Sequence, residues 1–293
     1  DYIHASTSDI NLDDILFNGE ATTTISSLEE STTYYFSVWA YDVYGHKSSS
    51  TVFSFDTNKA PTAIFNSAAQ RTDGAGIVDI SIDVDDLNND ESRAKIEYVV
   101  GADCDFTTPL DPTLDENVSN ISSTYGALSL ENDNEYQLGN LAGWILTPAT
   151  NTIAFDWAAI TDLPAADDIY CLRLTANDQK DNQNILATTT LIIDNTEPTA
   201  PGSLLAGETS TSTISVGFGA TSTETNFAYY KIFYELGTSG VTETDTEHLD
   251  ANLTDIEFNS IASTTIEGLD SNSDYVINIW AYDSFGNASS AVE

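Results

Sequence analysis

The chain has 293 residues, of which 47 are Asp or Glu and only 8 are Lys or Arg, giving a formal net charge of −39. No basic stripe is available to neutralise phosphates, so nucleic acid is excluded as a partner, and an anionic membrane surface is disfavoured for the same reason. A hydrophobic fraction of 41% with 10% aromatics is enough to build cores, which separates the chain from disordered acidic sequences. The length suits about two domains, and no run approaches the ~18 apolar residues of a transmembrane segment. No signal peptide is present, there is no Met, and the first residue is Asp1, so a window of a longer protein is expected. Such an acidic surface draws divalent cations and repels itself; a high-salt habitat explains the same composition.

In chain order, the recurring signal is apolar/polar alternation over short runs bounded by Asn, Asp, Gly, Ser and Thr, which is the signal of strands. Strands are expected at Tyr2–Ala5, Thr22–Leu28, Tyr34–Tyr41 and Ser49–Phe55. In the third of these, Tyr34, Phe36, Val38 and Ala40 share the inward face, while Tyr35, Ser37, Trp39 and Tyr41 share the outward one. Further strands are expected at Ile77–Val84, Ala94–Val100, Thr152–Trp157, Tyr170–Ala176 and Thr188–Ile193. The segment Asp111–Leu146 reads as an insertion of irregular or short-strand structure. The connectors Asp56–Pro61 and Asp194–Pro198 are short and stiffened by proline, which favours a semi-rigid rod. An internal repeat spans the chain: Asn11–Ser50 aligns without a gap on Asn252–Ala291, with 19 of 40 positions identical.

The repeated pattern L-x5-Y-x-F-x-V-x-A-x-D-x-x-G, from Leu28 through Tyr34 to Gly45, resembles the E–F–G end of a fibronectin type III domain of the bacterial extracellular kind. The resemblance implies a tyrosine corner at Leu28 and Tyr34 and an F–G turn at Asp42–Gly45. The second copy matches at Leu269, Tyr275, Ile277, Ile279, Ala281, Asp283 and Gly286. There Pro201–Gly207, Thr213–Phe218 and Tyr229–Glu235 resemble strands A, B and C. Between the copies, Asp83–Val100 and Tyr170–Pro198 resemble the Ig-like domains of bacterial surface proteins over about half of that unit. The fold class implied is all-β, a tandem of antiparallel β-sandwiches: residues 1–57 as the C-terminal part of a fibronectin type III-like domain, 58–197 as an Ig-like sandwich with an insertion, and 198–293 as a fibronectin type III-like domain. The first copy lacks counterparts of strands A and B. Phe36, Val38 and Phe53 would then be bare, so upstream residues or a strand of a neighbouring molecule are expected to complete it.

For chemistry, His4, His46 and His248 sit in polar contexts and neither G-x-S-x-G nor H-E-x-x-H occurs, so no enzyme is expected. The acidic run around Asp83, Asp85, Asp86, Asn88 and Asp90, with Glu97 beyond it, carries the oxygen-rich spacing that Ca2+ takes. Glu91 stands where an EF-hand needs Gly, and strands flank the loop instead of helices. Asp194, Asn195 and Glu197 of the second connector could bridge domains through the same ion, and Asp178, Asp181 and Asn182 form a third patch. A solvated acidic turn is the competing reading for each. If Ala94–Val100 and Tyr170–Ala176 are strands C and F, Cys104 and Cys171 are placed for a disulfide; two buried thiols are the alternative. Trp39, Tyr41, Trp280 and Tyr282 fall on outward faces and read as an interface, with carbohydrate as another candidate partner, or as aromatics covered by a neighbouring element.

The expectation is a structural repeat segment of an extracellular or cell-surface protein, of surface-layer, filament or adhesin-stalk type, meeting further copies of itself or flanking repeats. The alternative is an accessory carbohydrate- or ligand-binding module of a secreted enzyme.

Overall fold

The computed structural model describes residues 24–139, 143–202, 204–257 and 263–291. The strand expected at Tyr2–Ala5 therefore lies outside the described residues, as do His4 and the first part of the Thr22–Leu28 strand. Residues 24–28 form no strand. A strand needs a hydrogen-bonding partner, and among the described residues none lies beside this segment.

The first unit is a two-stranded antiparallel hairpin, β1 (Thr33–Val38) and β2 (Thr51–Asp56). Phe36 stacks against Phe53 and Phe55 at centroid distances of 5.4 and 4.9 Å. Its apolar row is open, with Val38 59% and Phe53 52% exposed, and among the described residues no second sheet faces it.

The middle unit is a sandwich. Strands β3 (Thr62–Gln70), β4 (Val78–Asp85), β5 (Arg93–Val100), β6 (Ser122–Ser123), β7 (Asn151–Trp157), β8 (Asp167–Asn177) and β9 (Ala187–Asp194) form two sheets, ordered β3-β4-β7-β6 and β5-β8-β9. The period-2 pattern decides the faces. Val78, Ile80, Ile82 and Val84 of β4 are all buried, with Ile153, Phe155 and Trp157 beside them on β7. Ala94, Ile96 and Tyr98 of β5 with Leu172, Leu174 and Ala176 of β8 complete the same core.

The insertion is more than surface decoration. Leu114, Leu128, Leu130, Leu138 and Ile145 belong to the buried core. Together with Leu110 just before it, it also covers the free edge of β5: Leu138 pairs with Ala94 and Leu110 with Tyr98, and between them Gln137 Oε1 accepts the Ile96 N–H at 2.9 Å. An open edge would invite pairing with another chain. Buried Asn151 anchors the segment, accepting from Thr124 N and donating to Leu146 O.

The third unit pairs the sheets β10 (Leu204–Thr209), β11 (Thr213–Phe218) and β14 (Thr264–Glu267) against β13 (Thr246–His248), β12 (Phe227–Leu236) and β15 (Tyr275–Asp283). Its core holds Val216, Tyr230, Ile232, Ile266, Leu269, Ile279 and Ala281. Both tyrosine corners form: Tyr34 Oη accepts from Glu29 N and Tyr275 Oη from Asp270 N, each at 2.9 Å. The chain is thus a tandem of antiparallel β units with two facing sheets in the second and third. Among the described residues no helix is long and apolar enough to cross a membrane.

Cys104, just past β5, is bonded to Cys171 on β8, with Cα atoms 5.3 Å apart. The bond spans a separation of 67 residues, worth about 4 kcal/mol in the chain-entropy model. The double variant Cys104→Ser/Cys171→Ser is expected to keep the native near-UV circular dichroism and to lose about 4 kcal/mol of unfolding free energy in urea. An unchanged midpoint would show that the cross-link does not restrict the unfolded chain.

Candidate cation site and the inter-unit joints

Two turns of the middle sandwich meet at the end facing the first unit. In the β4–β5 turn, Asp86 Oδ1 accepts from Asn88 N at 2.8 Å and from Asp90 N at 3.3 Å, while Asn89 takes a left-handed φ of 57°. In the β8–β9 turn, Asp178 Oδ1 accepts from Lys180 N at 2.9 Å and Asp181 N at 2.6 Å, with Gln179 at φ 70°. These are side-chain-closed Asx turns, which Asp forms readily because its short carboxylate reaches the backbone two residues on. The geometry brings oxygens of Asp86, Asp90 and Asp178 within 4.8 Å of one another. Asp86 is 2% and Asp178 1% exposed.

The connector enters the same place. Asn58 Nδ2 donates to Asp178 Oδ2 at 2.5 Å and to Asp181 Oδ2 at 3.1 Å, and Lys59 N donates to Asn88 Oδ1 at 2.8 Å. Lys180 Nζ lies 2.5 Å from Asp90 Oδ2. Its hydrogen bond to Asp90 and the surrounding Asp charges raise the lysine pKa. Burial pushes the Asp86 carboxyl up; its backbone hydrogen bonds oppose this, and the charges of Asp178 and Asp90 add to it. Asp86 Oδ2 is buried with no hydrogen-bond partner.

Of the sequence-nominated ligands, Asp86 and Asp90 lie in this cluster, and Asp178, read as part of a separate patch, joins them because β5 and β8 are neighbours. Asn88 is tied to the connector. Asp83 faces outward on β4, where Oδ1 accepts from Asn66 and Thr152. Asp85 is half-buried and outside the three-carboxylate group. Glu97 is also elsewhere: it is buried on β5, with Oε1 2.9 Å from Lys95 Nζ and Oε2 2.7 Å from an Arg173 guanidinium nitrogen. β5 begins at Arg93 and carries Glu97 away from the acidic turn.

The second joint uses amides. Asp194 is fully buried; its backbone N–H donates to Gln70 Oε1 at 2.8 Å, and its Oδ2 accepts from Asn226 Nδ2 at 2.8 Å. Asn287 Nδ2 donates to Asp194 O at 2.8 Å and Asp283 Oδ2 at 2.7 Å. Asn195 is bound to Leu163 O and Gln70, within the middle sandwich. Glu197 is exposed. Burial raises the Glu224 carboxyl, the Asn226 backbone N–H opposes this, and the nearby charges of Asp194, Asp283 and Asp167 push it further up. With both Asp194 oxygens held by amides, this joint is a hydrogen-bonded clasp. Beside it Gly74 N donates to Phe285 O at 2.9 Å, so the middle unit backs directly onto the turn after β15.

The outward aromatics divide by copy. Trp280 is 8% exposed, packed edge-on against Phe233 at 5.5 Å beside Val241, and Tyr282 is half-buried next to Tyr229. Trp280 is therefore covered within its own unit, by β12. Trp39 and Tyr41 are 42% and 65% exposed, because no described strand stands where β12 would be.

No protein-family model matches the chain, and no curated protein matches it. Solved structures of tandem domains do. The FN1–FN3 domains of chicken CNTN1 share 14% identity at TM-score 0.39, covering 91% of this chain and 77% of that one. A titin domain segment shares 13% at TM-score 0.40, covering 90% and 72%. A two-domain fibronectin type III segment of chicken tenascin shares 13% at TM-score 0.26, covering 80% and 97%.

Glu97 supplies a pH test. Burial alone would raise its carboxyl, but hydrogen bonds and charge from Lys95 and Arg173 outweigh that and hold it below the usual value. A depressed folded pKa adds stability above the unfolded value, lost as pH falls through the folded one. Glu97→Gln is expected to cost about 2 kcal/mol at pH 7, less than opening a fully buried pair because its partners keep some solvent contact. In urea titrations the gap from wild type should close below about pH 4. A gap independent of pH would show that packing, not charge, holds the site.

Proposed function

We propose that the chain is a non-enzymatic structural segment of an extracellular repeat protein, of the surface-layer, filament or stalk kind, whose β units are set at fixed angles and meet further repeats or copies of the same chain. The observation that carries this reading is the joint between the second and third units. There two backbones touch through glycines: a Cβ on Gly286 would lie 2.6 Å from both Gly74 N and Thr72 O. Side-chain amides of Asn226 and Asn287 lock the same joint. Units joined by a small interface move relative to one another by default; a direct backbone contact backed by buried amide hydrogen bonds favours a fixed angle instead. The disulfide and the acidic surface fit an oxidising, external setting.

The repeat provides an internal control. Gly45 holds the equivalent turn position at φ 83° with open space around it, and Gly286 has φ 87°. Alanine at either costs about 1 kcal/mol of backbone strain, but only Gly286→Ala also pries the joint apart. Small-angle scattering of the wild-type chain is expected to fit one extended shape. Gly286→Ala should broaden the interatomic distance distribution, and Gly45→Ala should leave it unchanged. Freely articulated units in the wild type would overturn the rod reading, and native material showing neither lattice nor fibre by electron microscopy would leave only the stalk form of it.

A further inference from the structure

We propose that Asp86, Asp90 and Asp178 form a Ca2+ site into which the connector residue Asn58 supplies a carbonyl oxygen. Three observations converge on it. The carboxylates come from two turns that are far apart in sequence and packed within 4.8 Å of each other. One of their oxygens, Asp86 Oδ2, is buried without any hydrogen-bond donor. Leaving such an oxygen unmatched is costly, and more so when it carries charge. Finally, one cation already sits at the rim: Lys180 Nζ reaches Asp90 and, at 3.4 Å, Asn58 Oδ1.

The charge does not balance with lysine alone. One ammonium faces three carboxylates, with Asp181 a fourth through Asn58. A divalent ion meets this deficit better, and it reaches the buried oxygen that the ammonium does not. The donors are all oxygens, which suits Ca2+ or Mg2+ and not Zn2+, whose usual ligands are His and Cys. A site assembled from two Asx turns and a side-chain amide tolerates the irregular, larger coordination shell of Ca2+ better than the tight octahedron of Mg2+. Asn58 now turns its nitrogen to Asp178; rotating the amide by half a turn presents Oδ1 instead, while Lys180, 54% exposed at its side chain, moves into solvent.

The second joint is the contrast. There both Asp194 oxygens have hydrogen-bond donors, Thr196 N and Asn226 Nδ2, so neither is left bare as Asp86 Oδ2 is. The first joint is thus the cation-dependent one. That role rests on the rod reading above, whereas the site itself rests only on the local geometry.

The test is calorimetric titration of the whole chain, stripped with chelator, with CaCl2 in about 0.15 M salt to screen the general acidity. Wild type is expected to show one saturable site with Kd of roughly 10⁻⁴–10⁻³ M, the range of extracellular calcium modules. Asp86→Asn should abolish it. Lys180→Ala, which removes the competing ammonium, should tighten it several-fold, an effect that misfolding does not produce. MgCl2 should bind more weakly. Diffuse, non-saturating heat that is the same in wild type, Asp86→Asn and Lys180→Ala would overturn the proposal and leave only a lysine-neutralised acidic cluster. Scattering with and without CaCl2 reads the role separately: saturable binding with no change in shape would keep the site and remove its part in stiffening the joint.

Discussion

Forty-seven carboxylates share eight basic side chains in this chain, so most acids that approach the interior have no cation to meet. The structure supplies N–H groups in their place. Asp42, Asp86, Asp178 and Asp283 each close a turn by accepting from backbone N–H groups two to four residues on. Asn226 does the same across a larger distance, donating to Asp194 Oδ2 at the second joint. Hydrogen bonds to a carboxylate stabilise its charged form without a partner charge. The few cations are placed where the alternative is costly, at Glu97 between Lys95 and Arg173 and at Asp156 beside Arg71. Against that pattern the bare Asp86 Oδ2 stands out.

The same economy shapes the joints. A turn that already holds its acid through its own backbone is a rigid knob. The turn after β15 is such a knob: Asp283 Oδ1 accepts from Phe285 and Asn287 N–H groups, and Gly286 permits the backbone of the preceding unit to come into contact. The first copy makes an identical knob, with His46 Nδ1 2.8 Å from Asp42 Oδ2 in the role of Asn287. Even the flanking bonds recur, Ser48 and Ser289 each bonding back to an alanine, Ala40 or Ala281. The knob is thus a property of the local sequence; whether it is docked depends on what lies against it.

The strand faces, the tyrosine corners and the disulfide were legible because each depends on short-range periodicity or on one strand pairing. The insertion was only half legible. Its irregular backbone could be read, but its leucines show no period, so their place in the core and the edge of β5 that Gln137 covers emerge only on folding. The cation cluster was half legible for the same reason. Asp86 and Asp90 stand out in a run of acids, while Asp178 is 88 residues beyond Asp90 and joins them only through the pairing of Arg93 with Asn177. Glu97 lies apart from Asp86 and Asp90 because β5 carries it away from their turn. Trp280 shows the limit of strand parity: alternation put it on the outer face, and Phe233 and Val241 then covered it.

By itself, then, the sequence determined the all-β architecture, the inward rows, the repeated turns and the acidity. Each of these is set by spacing within a few residues or by composition, and neither depends on what the distant chain does. Only the tertiary structure decided which acids are crowded, which aromatic rows are covered and which turn is docked. Those depend on desolvation and on contacts between residues far apart in sequence, and two copies of one turn, closed in the same way and docked in only one of them, show the division directly.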